Sequence, residues 1–211
     1  MKRKFGTFFI LAGILMILAA AALLVYNHQE SNNASQASQS VLLMMQSTAI
    51  GETSSASFVE DLYSDHIDPY DEAAVSFAAE MTETEIDGEM YIGYLTIPVL
   101  ELELPVISEW TYERLQKAPC RQFGSTKTDD LVIAAHNYAS HFGGLSRLKA
   151  GDMLTFTDMD GETILYEVAV LEVLQPTAVE AVRDSDFDLV LYTCTYGGES
   201  RVVTFCNRVR L

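Results

Sequence analysis

Residues 187–211 read FDLVLYTCTYGGESRVVTFCNRVRL, and this stretch decides the fold. Two apolar runs, 187–195 and 201–211, flank the segment Tyr196-Gly197-Gly198-Glu199-Ser200. A glycine pair in a short polar segment marks a tight reversal, so the two runs are predicted to be neighbouring antiparallel strands. Cys194 closes the first run, and a strand ending there delivers its sulfur to a rim rather than to the middle of a core. Arg201 opens the second run on the same parity as Val203, Phe205 and Val209, while Arg208 and Arg210 lie on the other. A charged side chain on the apolar parity of a strand needs a reason, because desolvating it without a partner is costly.

Working upstream, the same texture continues. YIGYLTIP (91–98) and LELPVI (102–107) alternate with period two, as half-buried strands do. LVIAAHN (131–137), DMLTFTD (152–158) and ILYEVAVLEVL (164–174) are further strand candidates. Seven or so strands leave room for two short helices, near Trp110 to Lys117 and His141 to Lys149. Many short strands separated by Gly, Asp and Pro turns predict an all-β domain, a closed barrel or a sandwich. No internal repeat is visible.

The N-terminal part has a different composition. Phe5 to Tyr26 is 22 residues without a charge, and about 20 helical residues cross the hydrocarbon core of a bilayer. The apolar region of a cleavable signal is usually about 7–15 residues long, so an uncleaved anchor over residues 5–26 is the reading. Lys2, Arg3 and Lys4 precede it, and no further Lys or Arg occurs until Arg114. The positive-inside bias then leaves residues 1–4 in the cytoplasm and everything after residue 26 outside, in a single-pass protein. Residues 27–87 begin with NHQESNNASQASQS and read as an acidic extracellular tether, with short helices expected at Val41–Met45 and Ala73–Ala79. Residues 88–211 form the folded domain.

The formal charge of −17 argues against nucleic acid, which needs clustered cations. Three cysteines rule out a disulfide-stapled mini-domain. They leave a nucleophile to consider. His136 ends the apolar run LVIAAH and is positioned to serve as a base. A thiol reacts as thiolate, which a neighbouring imidazole or cation favours. Arg201, permanently charged, is suited to an oxyanion. Singly, each residue has an ordinary explanation: packing for the cysteine, a hydrogen-bonded strand end for the histidine, a surface charge for the arginine.

Together they resemble a known family. The order His136, Cys194, Arg201, with the cysteine in Leu191-Tyr192-Thr193-Cys194, is similar to the sortases, cysteine transpeptidases of Gram-positive cell surfaces. LVIAAHNYASHFGGLSRLKAGD and YIGYLTIPVLELELPVI resemble sortase stretches too, so the likeness covers about residues 88–211. It implies a closed eight-stranded β-barrel with short helices behind a transmembrane helix and tether. It also implies cleavage of an LPxTG-like sorting signal on a surface protein or pilin, a thioester on Cys194, acid/base work by His136 and oxyanion or peptide holding by Arg201. Thr193, Asn137 and Tyr196 would support the site. The acceptor would be a peptidoglycan cross-bridge amine or a pilin lysine, with no cofactor. Asp68-Pro69-Tyr70 is similar to the lid motif of pilin-polymerising sortases. The surroundings His136-Asn137-Tyr138 and His141-Phe142-Gly143 look more like housekeeping or class B and D relatives, and the class stays open.

Other readings stand beside this one. A cell-wall cysteine hydrolase of papain type would place its cysteine before its histidine, the reverse of this chain. A membrane-tethered barrel that only binds peptides would keep its function in Cys194→Ala. The acidic turn Asp158, Asp160, Glu162 is a weak candidate for Ca2+, lacking a full EF-hand pattern. His141 with Cys194 and Cys206 has no zinc spacing. A Cys120–Cys206 disulfide would need the two Cα atoms to approach.

Overall fold

The computed structural model describes residues 2–52 and 80–210. Helix α1 (Lys2–Glu52) is followed by strands β1 (Thr84–Ile86), β2 (Glu89–Ile97) and β3 (Leu102–Ile107), then the short helix α2 (Tyr112–Leu115). Strands β4 (Cys120–Phe123) and β5 (Leu131–Ala134) precede a 3-10 turn, Phe142–Arg147. Next come β6 (Met153–Asp158), β7 (Thr163–Leu174), helix α3 (Val179–Arg183), β8 (Leu189–Cys194) and β9 (Arg201–Arg208). The sheet runs β1-β2-β3-β4-β5-β8-β9-β7-β6 and closes through a β2–β6 pairing. The ring is therefore the eight strands β2 to β9, with β1 added as a hairpin on β2. The first strand starts at Thr84, ahead of the boundary expected at residue 88.

Closure brings β2 close to β6, and Gly93 makes that approach feasible. Its φ is +144°, and a Cβ there would lie 2.1 Å from the Thr157 carbonyl oxygen. The β2–β3 register shifts between Tyr91 and Gly93, as at a bulge, and bulges bend a strand. Inside the ring, Leu95, Ile97, Val106, Ile133, Phe156, Tyr166, Leu189 and Leu191 are almost fully buried in one cluster. Period two then sends the alternate residues outward, and two outer faces are apolar as well. Val132, Val190, Val203 and Phe205 pack with Val182 of α3. Ile107, Cys120 and Ala134 pack with Val41 and Met45 of α1.

The polar run after Tyr26, expected to begin an irregular tether, continues α1 to Glu52 instead. Ala, Gln, Met and Leu favour helix. Val41, Leu42 and Met45 are buried, giving this segment a packed face against the barrel. Nearer its start, Ser31 Oγ lies 3.1 Å from Ser140 Oγ. Residues 14–18 and 23–26 are exposed and apolar. Among the described residues, α1 alone is long and apolar enough to cross a membrane. The expected helix at Ala73–Ala79 lies outside the described residues, as do Asp68, Pro69 and Tyr70.

Candidate active site

Three adjacent strands bring the candidate residues into one row. β5 and β8 are parallel, with Ala134 opposite Tyr192, so continuing both by two residues sets His136 beside Cys194. β8 and β9 are antiparallel, with Cys194 opposite Arg201. Neighbouring strands lie about 4.8 Å apart, which makes the three backbones immediate neighbours. Leu189 and Leu191 point into the barrel, so Val190, Tyr192 and Cys194 face outward. By the same alternation His136 and Arg201 share that outer face. The parity of Arg201 thus has its reason: it shares an outer apolar face that forms a groove.

That groove, ≈ 210 Å³, is lined by Tyr192, Val203 and Phe123 on the strands, by Leu174 at the end of β7, and by Pro176 and Val182 from the β7–β8 connection. Arg201 and Trp110 line it as well. Gln122, Phe123 and Trp110 also line a second depression with Arg121 and Glu109, so the two depressions adjoin. Burial pushes the Tyr192 phenol up to about 12, with the nearby Arg201 charge pulling the other way. The floor therefore stays neutral.

Local bonds hold the row. Thr193 is buried and its hydroxyl donates to the Ala135 carbonyl at 2.8 Å, tying the residue before Cys194 to the residue before His136. The Ala135 amide donates to the Tyr192 carbonyl at 3.2 Å. Asn137 Nδ2 donates to the Thr195 carbonyl at 3.5 Å, a weaker tie just past the row. Arg201 Nη1 donates to the carbonyls of Gly198 and Ser200, each at 3.1 Å, which anchors the guanidinium on the β8–β9 loop. Those two bonds leave Nε and Nη2 uncommitted by the loop, a set of donors suited to an oxyanion. Cys194 is half-buried and free. Tyr196, expected to support the site, is 94% exposed at the loop tip.

The histidine is framed by rings that sequence reasoning did not single out. Its imidazole stacks on Tyr138, with centroids 4.8 Å apart and planes at 29°. Tyr112 of α2 meets it edge-on at 5.9 Å. Tyr138 is backed in turn by His141 at 5.5 Å. The Phe142 amide donates to the His136 carbonyl at 3.0 Å, and the His141 and Gly143 amides donate to the Tyr138 carbonyl at 3.0 and 2.9 Å. His141 is fully buried, and desolvation with the nearby His136 pulls its imidazole down to about 4, with a Lys117 backbone hydrogen bond acting in the opposite sense. It is a neutral packing residue at ordinary pH. The aromatic two residues after His136 was the available signal for the stack; Tyr112 had none.

The remaining candidates resolve differently. Cys120 and Cys206 are free and buried in separate clusters, Cys120 on the outer face under α1 and Cys206 within the ring, so no disulfide joins them. Burial pushes both thiols up to about 12, away from nucleophilic use. In the acidic turn, the buried Asp158 accepts the Asp160 and Glu162 amides. Lys127 Nζ lies 3.2, 4.0 and 3.4 Å from Asp158, Asp160 and Glu162, in the position a cation would take. Among the described residues no His, Cys, Asp and Glu cluster suits a metal.

With this geometry in hand, the likeness to known proteins can be located on it. The sortase domain family model matches residues 95–209, the stretch that runs from β2 through the row to the end of β9. Sortase A from Bacillus anthracis is 31% identical over 124 residues, 55% of this chain and 58% of that protein, so the match spans less than two thirds of that relative. Sortase C1 from Streptococcus suis is 29% identical with a TM-score of 0.50, covering 57% of this chain and 74% of that one. Sortase C1 from Streptococcus agalactiae is 26% identical with a TM-score of 0.52, covering 60% and 72%. A domain match over more than half of the chain, on a closed eight-stranded barrel of the same fold, means that the protein belongs to the sortase family.

Proposed function

We infer that this chain is a membrane-anchored cysteine transpeptidase. It cleaves an LPxTG-like sorting signal between Thr and Gly and passes the acyl group to an amine. One observation carries the reading: the register that aligns His136, Cys194 and Arg201 across β5, β8 and β9 beside an apolar groove. The substrate class follows from family membership and from the groove's apolar floor. The anchor, residues 5–26, with residues 1–4 cytoplasmic and residues 88–211 outside as the catalytic domain, rests on composition and on the length of α1.

In the acylation step the Cys194 sulfur, as thiolate, bonds to the carbonyl carbon after the Thr. The carbonyl electrons move to oxygen, where Arg201 holds the oxyanion against a low-dielectric floor. Collapse breaks the C–N bond, and the His136 imidazolium gives its proton to the leaving amine. An acceptor amine then attacks the thioester, His136 takes the proton, and the thiolate leaves. Two amides are exchanged with no change of oxidation state. The acceptor is a peptidoglycan cross-bridge amine or a pilin lysine. Thr193 and Asn137 hold the strand ends rather than touch the substrate.

The test is mass spectrometry of the protein with an LPxTG-like peptide, with and without an added amine such as oligoglycine. The expected results are an acyl adduct on Cys194, amide product with the amine, and neither in Cys194→Ala. Product that is only ever hydrolysed would overturn transpeptidation, and unimpaired function of Cys194→Ala would overturn the enzyme reading altogether.

A further inference from the structure

Helix α2 carries Tyr112 to the histidine, and something must hold it there. It has four residues, and a single helical turn does not keep its own place in water. Thr111 caps it, the Oγ1 accepting the Arg114 amide at 3.1 Å. Leu115 and Ala118 settle it in the outer cluster with Tyr91, Ile107, Cys120 and Ala134. Apolar burial is non-directional, so that contact sets the height of the helix above the sheet and leaves its rotation and slide unspecified. Charge-assisted hydrogen bonds are directional, and Glu89 makes two of them. The two-residue turn Asp87-Gly88, with φ of 51° and 78°, sets Glu89 at the start of β2, on the outward parity of Tyr91. Glu89 Oε2 accepts from Arg114 Nε at 2.8 Å, and Oε1 accepts from Lys117 Nζ at 2.6 Å. One carboxylate thus grips two cations three residues apart, neighbours on one side of a helical turn. The Glu89 side chain is only 13% exposed, whereas Glu109, the other acid on Arg114 at 3.0 Å, is 73% exposed and contributes little. The Lys117 bond leads in holding the Glu89 carboxyl below the usual carboxylate range, against the opposing effect of burial.

The segment that Glu89 grips bears on His136 by two routes. Tyr112, at its start, meets the imidazole edge-on with centroids 5.9 Å apart. The Lys117 backbone, at its end, lies beside the buried His141, whose ring backs Tyr138, and Tyr138 stacks on His136. We propose that Glu89 is a positioning residue for the acid/base histidine: by holding Arg114 and Lys117 it sets α2, and α2 sets where Tyr112 meets His136. Glu89 touches no reacting atom. Without its charge the helix shifts, and the imidazole loses one of the two rings that fix its plane. The effect on rate rests on the enzyme reading above, while the placement of the ring does not.

NMR of the full chain in detergent micelles, with carbon-labelled histidine rings, tests this beside steady-state peptide cleavage. The chain has four histidines, and the His136 signal is the one lost in His136→Asn. Ring currents make that signal sensitive to Tyr112, so Tyr112→Leu gives the reference displacement. Glu89→Gln keeps the shape and removes the charge. It should move the His136 signal in the same direction by at least about half as much, and adding Tyr112→Leu to it should give less than the sum of the two, as for coupled residues. In Glu89→Gln, kcat should fall by about fivefold or more with KM little changed, because a catalytic group is sensitive to displacement of about 1 Å. Lys117→Gln, which spares the Arg114 bond, should give a smaller displacement of the same sign, and it decides the matter if Glu89→Gln does not fold. A His136 signal at its original place in the folded variant overturns the proposal, and so do displacements that simply add. A displaced signal with unchanged kcat overturns the role in rate. Absence of cleavage by the unaltered chain overturns the enzyme reading instead, and the signal still decides whether Glu89 places the ring.

Discussion

Thr193→Val tests whether the row is held by the bond behind it. Valine matches threonine in shape, so the substitution removes one donor without opening a cavity. The lost bond is the 2.8 Å contact to the Ala135 carbonyl, and both residues are at most 4% exposed. A neutral hydrogen bond contributes about 1 kcal/mol net, and a buried acceptor left without its donor adds to that, so the expected loss is about 1–2 kcal/mol. For a domain of this size that is a fall of about 3–10 °C in thermal midpoint. The functional effect should exceed the thermal one. This bond sits one residue before His136 and before Cys194, and displacement by about 1 Å in such a pair costs up to about a hundredfold in rate. We expect kcat for peptide cleavage to fall by about tenfold or more with KM little changed. Thr193→Ser keeps the donor and loses a methyl group, about 0.8 kcal/mol, so it should lose stability yet keep most of its rate. The assay is steady-state cleavage beside a melting curve for each variant. If valine leaves kcat intact, or serine harms it as much as valine, the bond does not position the row.

Thiol counting gives a second prediction: at neutral pH a small alkylating reagent should add once, at Cys194, because burial pushes Cys120 and Cys206 up to about 12. Those raised values also set an alkaline limit, since the unfolded thiols ionise above about 9 while the folded ones stay neutral. Melting temperature should therefore fall as pH rises from about 9 toward 12, less steeply in Cys206→Ala. On the acid side the buried His141, held down to about 4, contributes stability above its ordinary value that is lost as pH falls from about 6.5 through 4. His141→Phe should flatten melting temperature across that window, and an unchanged slope would show that another group governs it. Tyr138→Leu should lower kcat about tenfold by freeing the imidazole plane and removing a π face from the imidazolium, whereas Tyr138→Phe keeps both. Equal losses in the two variants would assign the effect to the hydroxyl.

Much of the site was legible because period two is local information. Cys194 and Arg201 lie within one hairpin, and their opposition follows from the short loop between two alternating runs. Three of the seven expected strands deliver the row, yet nothing in the composition of the two that end near His136 and at Cys194 says that they are neighbours. Their parallel pairing joins residues 58 apart in the chain, as in the Thr193–Ala135 bond, and only family resemblance pointed to it. Cys120-Arg121-Gln122-Phe123 was missed as a strand because three of its four residues are only half-buried, with too few apolar positions to form a pattern. The helical continuation of α1 was missed for a related reason. Ser and Asn carry little helical signal of their own, and the deciding contacts of Val41 and Met45 are tertiary.

The same parity that made the site readable also explains why it is stable in place. On β8, Leu189, Leu191 and Thr193 face inward, and the two leucines are fully buried in the ring. A slip of one residue would exchange every inward and outward side chain, putting Tyr192 inside and Leu191 on the groove floor. The core therefore fixes the outward direction of Cys194 as firmly as it fixes the leucines. At the rim the core ends, and an apolar side chain at position 193 would continue the packing but lose the side-chain bond between the two strand ends. A threonine there presents a methyl group to the interior and a hydroxyl to the neighbouring strand, so the last inward residue of β8 is also the first to serve the row. That placement predicts that inward substitutions near the middle of β8 lower stability with little change in rate, whereas those at position 193 lower rate beyond their cost in stability.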